Sequence, residues 1–163
     1  MPGVEGCPNC AHIEDAEAGR NPFAIARLRA GYVTVSSCQY YPGAAFYVAR
    51  QCVAELWELD PADHQAHFAE MAAVAHAIYD EFGARKMNYE ALGNSVAHLH
   101  WWLTPRPHDD PRPIGPIWED HDFLRMLWTG DARPDEAGLA KLRRRVLAAL
   151  QRQDLEIERD FVT

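Results

Sequence analysis

At 163 residues the chain has the length of one domain, and its 48% hydrophobic and 25% charged residues are the balance of a globular protein able to bury a core without disulfide support. A net charge of −8, with Arg143-Arg144-Arg145 as its one basic run, argues against nucleic acid as a partner, because sequence-independent binding needs a concentrated positive surface. No stretch reaches the roughly 18–20 apolar residues of a membrane-spanning helix. Met1 to Cys7 has neither the basic start nor the apolar run of a secretion signal. The expectation is a cytoplasmic protein whose four cysteines serve as thiols or metal ligands rather than as a disulfide framework.

In chain order, a short segment, Cys7-Pro8-Asn9-Cys10, is followed by Phe23 to Leu28, which reads as a strand or turn. Tyr32 to Ser36 is β-branched and aromatic and reads as a strand. Pro42-Gly43 marks a turn, and Ala45 to Ala49 forms the next strand. Val53 to Leu59 reads as a short helix or turn. Asp60 as N-cap and Pro61 at the first position open a long helix, whose apolar face carries Phe68, Met71, Ala72, Ala75, Ile78 and Tyr79 and which Gly83 ends. Lys86–Leu92 and Ala97–Thr104 are two strands, expected to pair antiparallel across Gly93-Asn94-Ser95.

Five prolines between Pro105 and Pro116 exclude a regular element there. Two helices are expected beyond it, around His121–Trp128 and from Asp135 to about Gln153, the second presenting Arg143-Arg144-Arg145 as a solvated face. The fold class is α+β: a mostly antiparallel sheet with one long helix packed on it and a helical C-terminal extension. Residues 1–106 form the core of the domain with the cysteine segment, and 107–163 form a proline-rich connection and helical extension of that domain.

The informative segment runs from Asn94 to Arg106. On a strand, His98, His100 and Trp102 share one face while Leu99, Trp101 and Leu103 take the other. A His-x-His pair alone is equally well explained by two surface histidines. With its flanks, the segment resembles the active-site strand of the histidine-triad family, His-φ-His-φ-His-φ-φ with φ apolar, preceded here by Ser95 and followed by Pro105-Arg106. Upstream, Pro42-Gly43 with Phe46 to Arg50 resembles the family's Pro-Gly-His turn and apolar strand. Leu56 to Pro61 resembles its Leu-x-x-Leu-x-Pro entry to the long helix. The match spans roughly residues 7–106.

The resemblance implies that His100 attacks the α-phosphorus of a nucleotide to form a nucleotidyl-histidine, which water or another acceptor resolves; neutral imidazole is nucleophilic near pH 7. It places Asn88, Asn94 and Ser95 at or near phosphate-contacting positions. The third histidine is Trp102, whose indole N–H donates a hydrogen bond but is no acid near neutral pH. The histidine of the family's Pro-Gly-His turn is Ala44, its ribose-binding acid is Ser36, and Gln39 is a substitute ribose or base contact. The galactose-1-phosphate uridylyltransferases of the superfamily also lack the third histidine, so its loss does not by itself end catalysis.

The C-x-x-C spacing of Cys7 and Cys10 suits two thiolates on one tetrahedral metal, and no thioredoxin-like pattern follows it. Bacterial histidine-triad proteins often carry such a pair. The resemblance implies a closed zinc site completed by Cys52 and His98, with His12 as fallback ligand and Cys38 as core or pocket wall. A closed site reads as structural. His64, His67 and His76 read as exposed helix histidines, and His108 and His121 as residues of the pocket mouth. Trp118, Trp128 and Glu119-Asp120 read as packing and surface.

The resemblance thus implies a nucleotide phosphohydrolase or nucleotidyltransferase acting on AMP-X or dinucleoside polyphosphates, commonly as a homodimer. Two alternatives stand beside it: a catalytically weak or inactive nucleotide-binding protein, and a hydrolase with catalytic zinc on His98 and His100.

Overall fold

The computed structural model describes residues 6–112 and 114–163; the first residues of the segment read as lacking a secretion signal, 1–5, lie outside them. Four helices, α1 (Pro8–Glu17), α2 (Pro61–Phe82), α3 (His121–Thr129) and α4 (Glu136–Leu150), accompany strands β1 (Ala24–Leu28), β2 (Gly31–Val35), β3 (Ala45–Ala49), β4 (Lys86–Glu90), β5 (His100–Arg106) and β6 (Ile157–Asp160). The strands form one sheet in the order β4-β5-β3-β2-β1-β6, every pair antiparallel. The α+β expectation stands.

Strand register sorts the side chains by face. Val33, Tyr47 and Trp101 lie in one cross-strand row, and Val35, Ala45 and Leu103 in the next. That face meets Val74, Ala75 and Ile78 of α2 and Val146, Leu147 and Leu150 of α4 in the main core. α2 ends where Gly83 adopts φ 58° and the Ala84 N–H closes onto the Tyr79 carbonyl. Asp60 occupies the N-cap position without a side-chain cap; its carboxylate instead accepts from Gln51.

Several expectations need correction. The cysteine segment opens a ten-residue helix, α1, with Pro8 in its first turn and the Cys7 sulfur accepting from the Cys10 N–H. Only Cys10 and Ala16 of α1 are buried, so it carries no apolar stripe to read. β5 starts at His100 rather than Ala97 and continues through Pro105-Arg106. Pro105 is tolerated because β3 has ended its pairing with β5 at Leu103, leaving that edge free of a partner that needs the missing N–H.

The C-terminal part is not only helical. β6 adds a sixth strand beside β1, its charges held by Arg27–Glu158 and Arg159–Glu17 ion pairs. With Ile157 its one apolar residue, β6 is a charged edge strand without alternating hydrophobicity. Arg143 is half-buried rather than solvated: its guanidinium donates to the Ala24 and Phe161 carbonyls and ties α4 to the sheet.

Candidate active site and metal cluster

The second face of the sheet carries the rows Tyr32–Val48–His100 and Thr34–Phe46–Trp102. Among the described residues no helix packs flat on them. They floor a cavity of about 590 Å3, walled by Asn9, His12 and Ile13 of α1, by Asn94 and Ser95 of the loop before β5, and by Trp118, Leu127 and Trp128. Its surface is mainly apolar, with His100 on the floor.

His100 is half-buried, and its Nδ1 lies 2.8 Å from the His98 carbonyl. A carbonyl only accepts, so Nδ1 carries a proton, and in the neutral ring the lone pair is on Nε2. The same logic fixes His98. Its Nε2–H donates to the Ala49 carbonyl at 2.7 Å, which leaves Nδ1 unprotonated and 3.5 and 3.6 Å from the sulfurs of Cys7 and Cys10. Burial, more than the proximity of His100, holds His98 below the ordinary histidine range and keeps it neutral, although the Ala49 carbonyl works the other way.

His98 therefore does not share the cavity with His100 and Trp102. It sits two residues before a regular strand, turned into a cluster with Cys7, Cys10 and Cys52 whose four donor atoms lie within 4.8 Å of one another. Three thiols and one imidazole nitrogen, that imidazole anchored through its other N–H by a backbone carbonyl, are a donor set suited to a tetrahedral soft-metal site. The set also separates the two histidines: among the described residues His98 belongs to the metal cluster and His100 does not. A shared catalytic metal on both is thus without its ligand geometry.

The other expected contact residues divide. Asn94, Ser95 and Trp102 line the cavity. Asn88 lies on the same sheet face but not in the cavity lining; its Oδ1 accepts from Arg106 at 3.0 Å. Ser36 is buried, its hydroxyl accepting from the Cys38 N–H at 3.2 Å. Gln39 clasps the Pro42-Gly43 turn, donating to the Ser36 and Ala44 carbonyls and accepting from the Gly43 N–H. The serine that does face the cavity in this segment is Ser37. Cys38 is core, packed with Tyr41, Ala44, Ile117 and Phe123.

Sequence reasoning missed the aromatic wall. Trp118 stands edge-on to Trp102 with ring centroids 5.7 Å apart, and Trp128, 83% exposed, lines the mouth. The anchor of this wall is Arg106, 4% exposed. Its guanidinium lies over the Tyr41 ring and donates to the Asp110 carboxylate at 2.5 Å and to the Gly115 and Arg112 carbonyls. Asp120, also buried, accepts from the Tyr41 hydroxyl and caps α3. The proline-rich connection is thereby pinned to the end of β5, which brings Trp118 over the sheet. His108 and His121 do not line the cavity; His12 does. The tryptophans carried no spacing that would have signalled this, because the loop between them and β5 follows no repeat.

No family model matches the sequence, and no curated protein matches it either. Solved structures do. The chain is similar to a histidine triad protein from Sinorhizobium meliloti, at 26% identity over 83% of this chain and 93% of that chain, with a TM-score of 0.63. It is similar also to a histidine triad protein from Marinobacter aquaeolei (24%, 85% and 93%, TM-score 0.63). A zinc-bound histidine triad family protein from Mycobacterium smegmatis shares the fold at 17% identity over 91% and 96% of the two chains, TM-score 0.63. An antiparallel α+β sheet whose β5 strand lays His100 on the floor of an open cavity defines the class, and the chain has the histidine-triad fold.

Proposed function

We propose that the chain is a nucleotide phosphohydrolase or nucleotidyltransferase that works at the α-phosphate of AMP-X or dinucleoside polyphosphate substrates through a nucleotidyl-His100 intermediate. The observation that carries this reading is the His100 tautomer. Nδ1–H is held by a backbone carbonyl at 2.8 Å, leaving Nε2 as a lone-pair donor on the floor of a cavity of about 590 Å3, large enough for a nucleotide. Asn94 and Ser95 supply polar groups from the adjoining loop for the phosphate, and the apolar side chains of the α1 wall suit a base. Asn88 contributes through Arg106, and Ser36 and Gln39 by shaping the turn that presents Ser37.

Cys7, Cys10, Cys52 and His98 would hold zinc, as the zinc-bound M. smegmatis protein of this fold holds that metal. A closed Cys₃His set supplies a brace between α1 and the start of β5 rather than a reacting centre. The His98 carbonyl that orients His100 comes from this braced segment. Elemental analysis of the purified chain is expected to give one zinc per chain. Cys10→Ser should lose it and lower the apparent stability by ~4 kcal/mol; a metal-free protein of unchanged stability would refute the brace.

The deciding experiment offers adenylylated and guanylylated phosphoramidates and dinucleoside polyphosphates to the protein, follows nucleotide release, and weighs the intact chain for an adduct. An adduct that disappears in His100→Ala, with release falling by ~10³-fold or more, is the expected outcome. Wild-type turnover in that variant removes His100 from the chemistry. Binding of AMP or GMP with neither release nor adduct favours the second reading, a nucleotide-binding protein without turnover, to which Trp102 and Ala44 point.

A further inference from the structure

The metal cluster has one corner open to solvent. His98 is 3% exposed and Cys10 6%, whereas Cys7 is half-buried and Cys52 is exposed. The open corner is held in place. Leu99 accepts from the Ala49 N–H and donates to the Val53 carbonyl, and Gln51 donates to Asp63 at 2.6 Å, so the loop after β3 presents the Cys52 sulfur from a clasped backbone. That sulfur stands 3.9 Å from the sulfur of Cys7. α1 buries only Cys10 and Ala16, so its start is free to close the remaining gap to the roughly 2.05 Å of a disulfide. Cys38, the fourth cysteine, is packed with Tyr41, Ala44, Ile117 and Phe123 and lies outside the cluster.

We infer that Cys52 is a site of oxidation by peroxide, and that its oxidation joins it to Cys7 in a reversible disulfide that releases the zinc. Oxidation of a sulfur follows thiolate character and access, and Cys52 has both, because metal ligation keeps a cysteine deprotonated. The Cys52 thiolate attacks one peroxide oxygen; the O–O bond breaks, the sulfur becomes a sulfenic acid and the other oxygen leaves as hydroxide. The Cys7 thiolate then attacks the Cys52 sulfur, the S–S bond forms, and the sulfenic oxygen leaves as a second hydroxide. The sum is two thiolates plus hydrogen peroxide giving a disulfide and two hydroxide ions. The sulfurs lose two electrons and the peroxide gains them; a dithiol reverses the pairing by exchange. Cys10 and His98 are then two ligands where four closed the site, too few to retain the ion. The loss reaches the cavity through one carbonyl. The His98 carbonyl accepts from His100 at 2.8 Å and from the Asn9 side chain at 3.4 Å, and Asn9, between the two cysteines of α1, also lines the cavity.

The test treats the zinc-loaded full chain with hydrogen peroxide beside a colorimetric zinc chelator, and follows intact mass and a peptide map. Zinc release is expected in step with a chain about 2 Da lighter once the metal is stripped. The map should show Cys7 linked to Cys52 and Cys38 unmodified, and dithiothreitol should restore zinc binding. Cys52→His keeps a Cys₂His₂ donor set without a sulfur at the open corner, so it should hold zinc and release it to peroxide ~10-fold more slowly. A link between Cys7 and Cys10 with Cys52 free, or release from Cys52→His as fast as from wild type, would overturn Cys52 as the site. If Cys52→His binds no zinc, the wild-type map decides. Zinc retained under peroxide, or release that dithiothreitol does not reverse with sulfinic acid at Cys52, would overturn the reversible pair. On the nucleotidyl-His100 reading, oxidation should lower turnover by ~10-fold, the scale of losing a contact that orients a functional group, and dithiothreitol should restore it. Unchanged turnover in the oxidised, zinc-free chain would overturn the link to His100. No turnover in either state would overturn the nucleophile reading and leave the disulfide, which is read from mass and metal alone.

Discussion

Each face of β5 carries an imidazole beside an indole, and the two pairs do opposite things. On the core face the Trp101 N–H donates to His67 Nε2 at 2.9 Å, inside the packing of Tyr47, Phe68 and α2, where His67 is fully buried. On the cavity face His100 gives its Nδ1 proton to the backbone and keeps Nε2 for the cavity, while Trp102 turns to Phe46 and Trp118. Residue type does not separate a histidine packed into the core from one offered to the cavity. What separates them is whether the lone-pair nitrogen is already taken by a neighbour. The core imidazole accepts a hydrogen bond from its indole, and among the described residues the cavity imidazole has no such partner.

The sharpest way to break this contrast is to truncate the core face next to the reactive one. Leu103 is fully buried between β3, β4 and the core helices, directly after Trp102. Leu103→Ala should cost about 3 kcal/mol of stability by denaturant unfolding, through lost transfer energy and an unfilled cavity. The folded fraction should keep its kcat, the reverse of His100→Ala, which removes turnover and leaves unfolding unchanged. If Leu103→Ala abolished turnover in folded protein, the two faces would be coupled.

The alternation that makes this contrast was legible from the sequence from His100 to Leu103, because a buried strand enforces period two. It failed at His98, where the chain is held by Leu99–Val53 and Ala49–Leu99 backbone bonds outside a regular strand and the side chain turns to the thiols. The four-member metal cluster was nonetheless legible, since the C-x-x-C spacing and the resemblance together named Cys7, Cys10, Cys52 and His98. β6 and α1 were not, for lack of an apolar period. Nor was the aromatic wall, which depends on Arg106 and Asp120, two buried charges partnered by Asp110, by backbone carbonyls and N–H groups of an irregular stretch a few residues away, and by Tyr41 from a distant part of the chain. The expectation of an exposed His67 followed residue type; its place four residues before Met71 on the apolar stripe of α2 is what puts it in the core.

A second prediction follows from His67. Burial, with a smaller contribution from His64 and against the Ala30 carbonyl, pushes His67 down to about 4 from an ordinary 6.5. Between those values the unfolded chain binds the proton and the folded chain does not, so stability rises with pH across the window. Its contribution is fully present above about pH 6.5 and is lost as pH falls toward about 4. The full loss should reach roughly 3 to 4 kcal/mol, at about 1.4 kcal/mol per unit. His67→Gln should flatten that part of the denaturant-stability profile between pH 7 and 4.5 and leave the pH dependence of turnover untouched. A profile equally steep in wild type and variant would assign the slope to other groups.

The smallest effect is expected at Ser36, and it tests whether the cavity face extends to residues that merely lie close to it. Ser36 is 4% exposed, its hydroxyl accepts from the Cys38 N–H, and it does not line the cavity, whereas Ser37 does. Ser36→Ala leaves one buried N–H without that acceptor and should cost about 1 kcal/mol by thermal or denaturant unfolding. Because the lost bond shapes the turn rather than touching substrate, KM should move by no more than about 2-fold, the scale of a few tenths of a kcal/mol. Ser37→Ala should show the opposite division, with little change in unfolding and a larger rise in KM. If Ser36→Ala instead raised KM with stability intact, the ribose contact first read at Ser36 would regain its place, and the boundary between the turn and the cavity floor would have to be redrawn through Ser36.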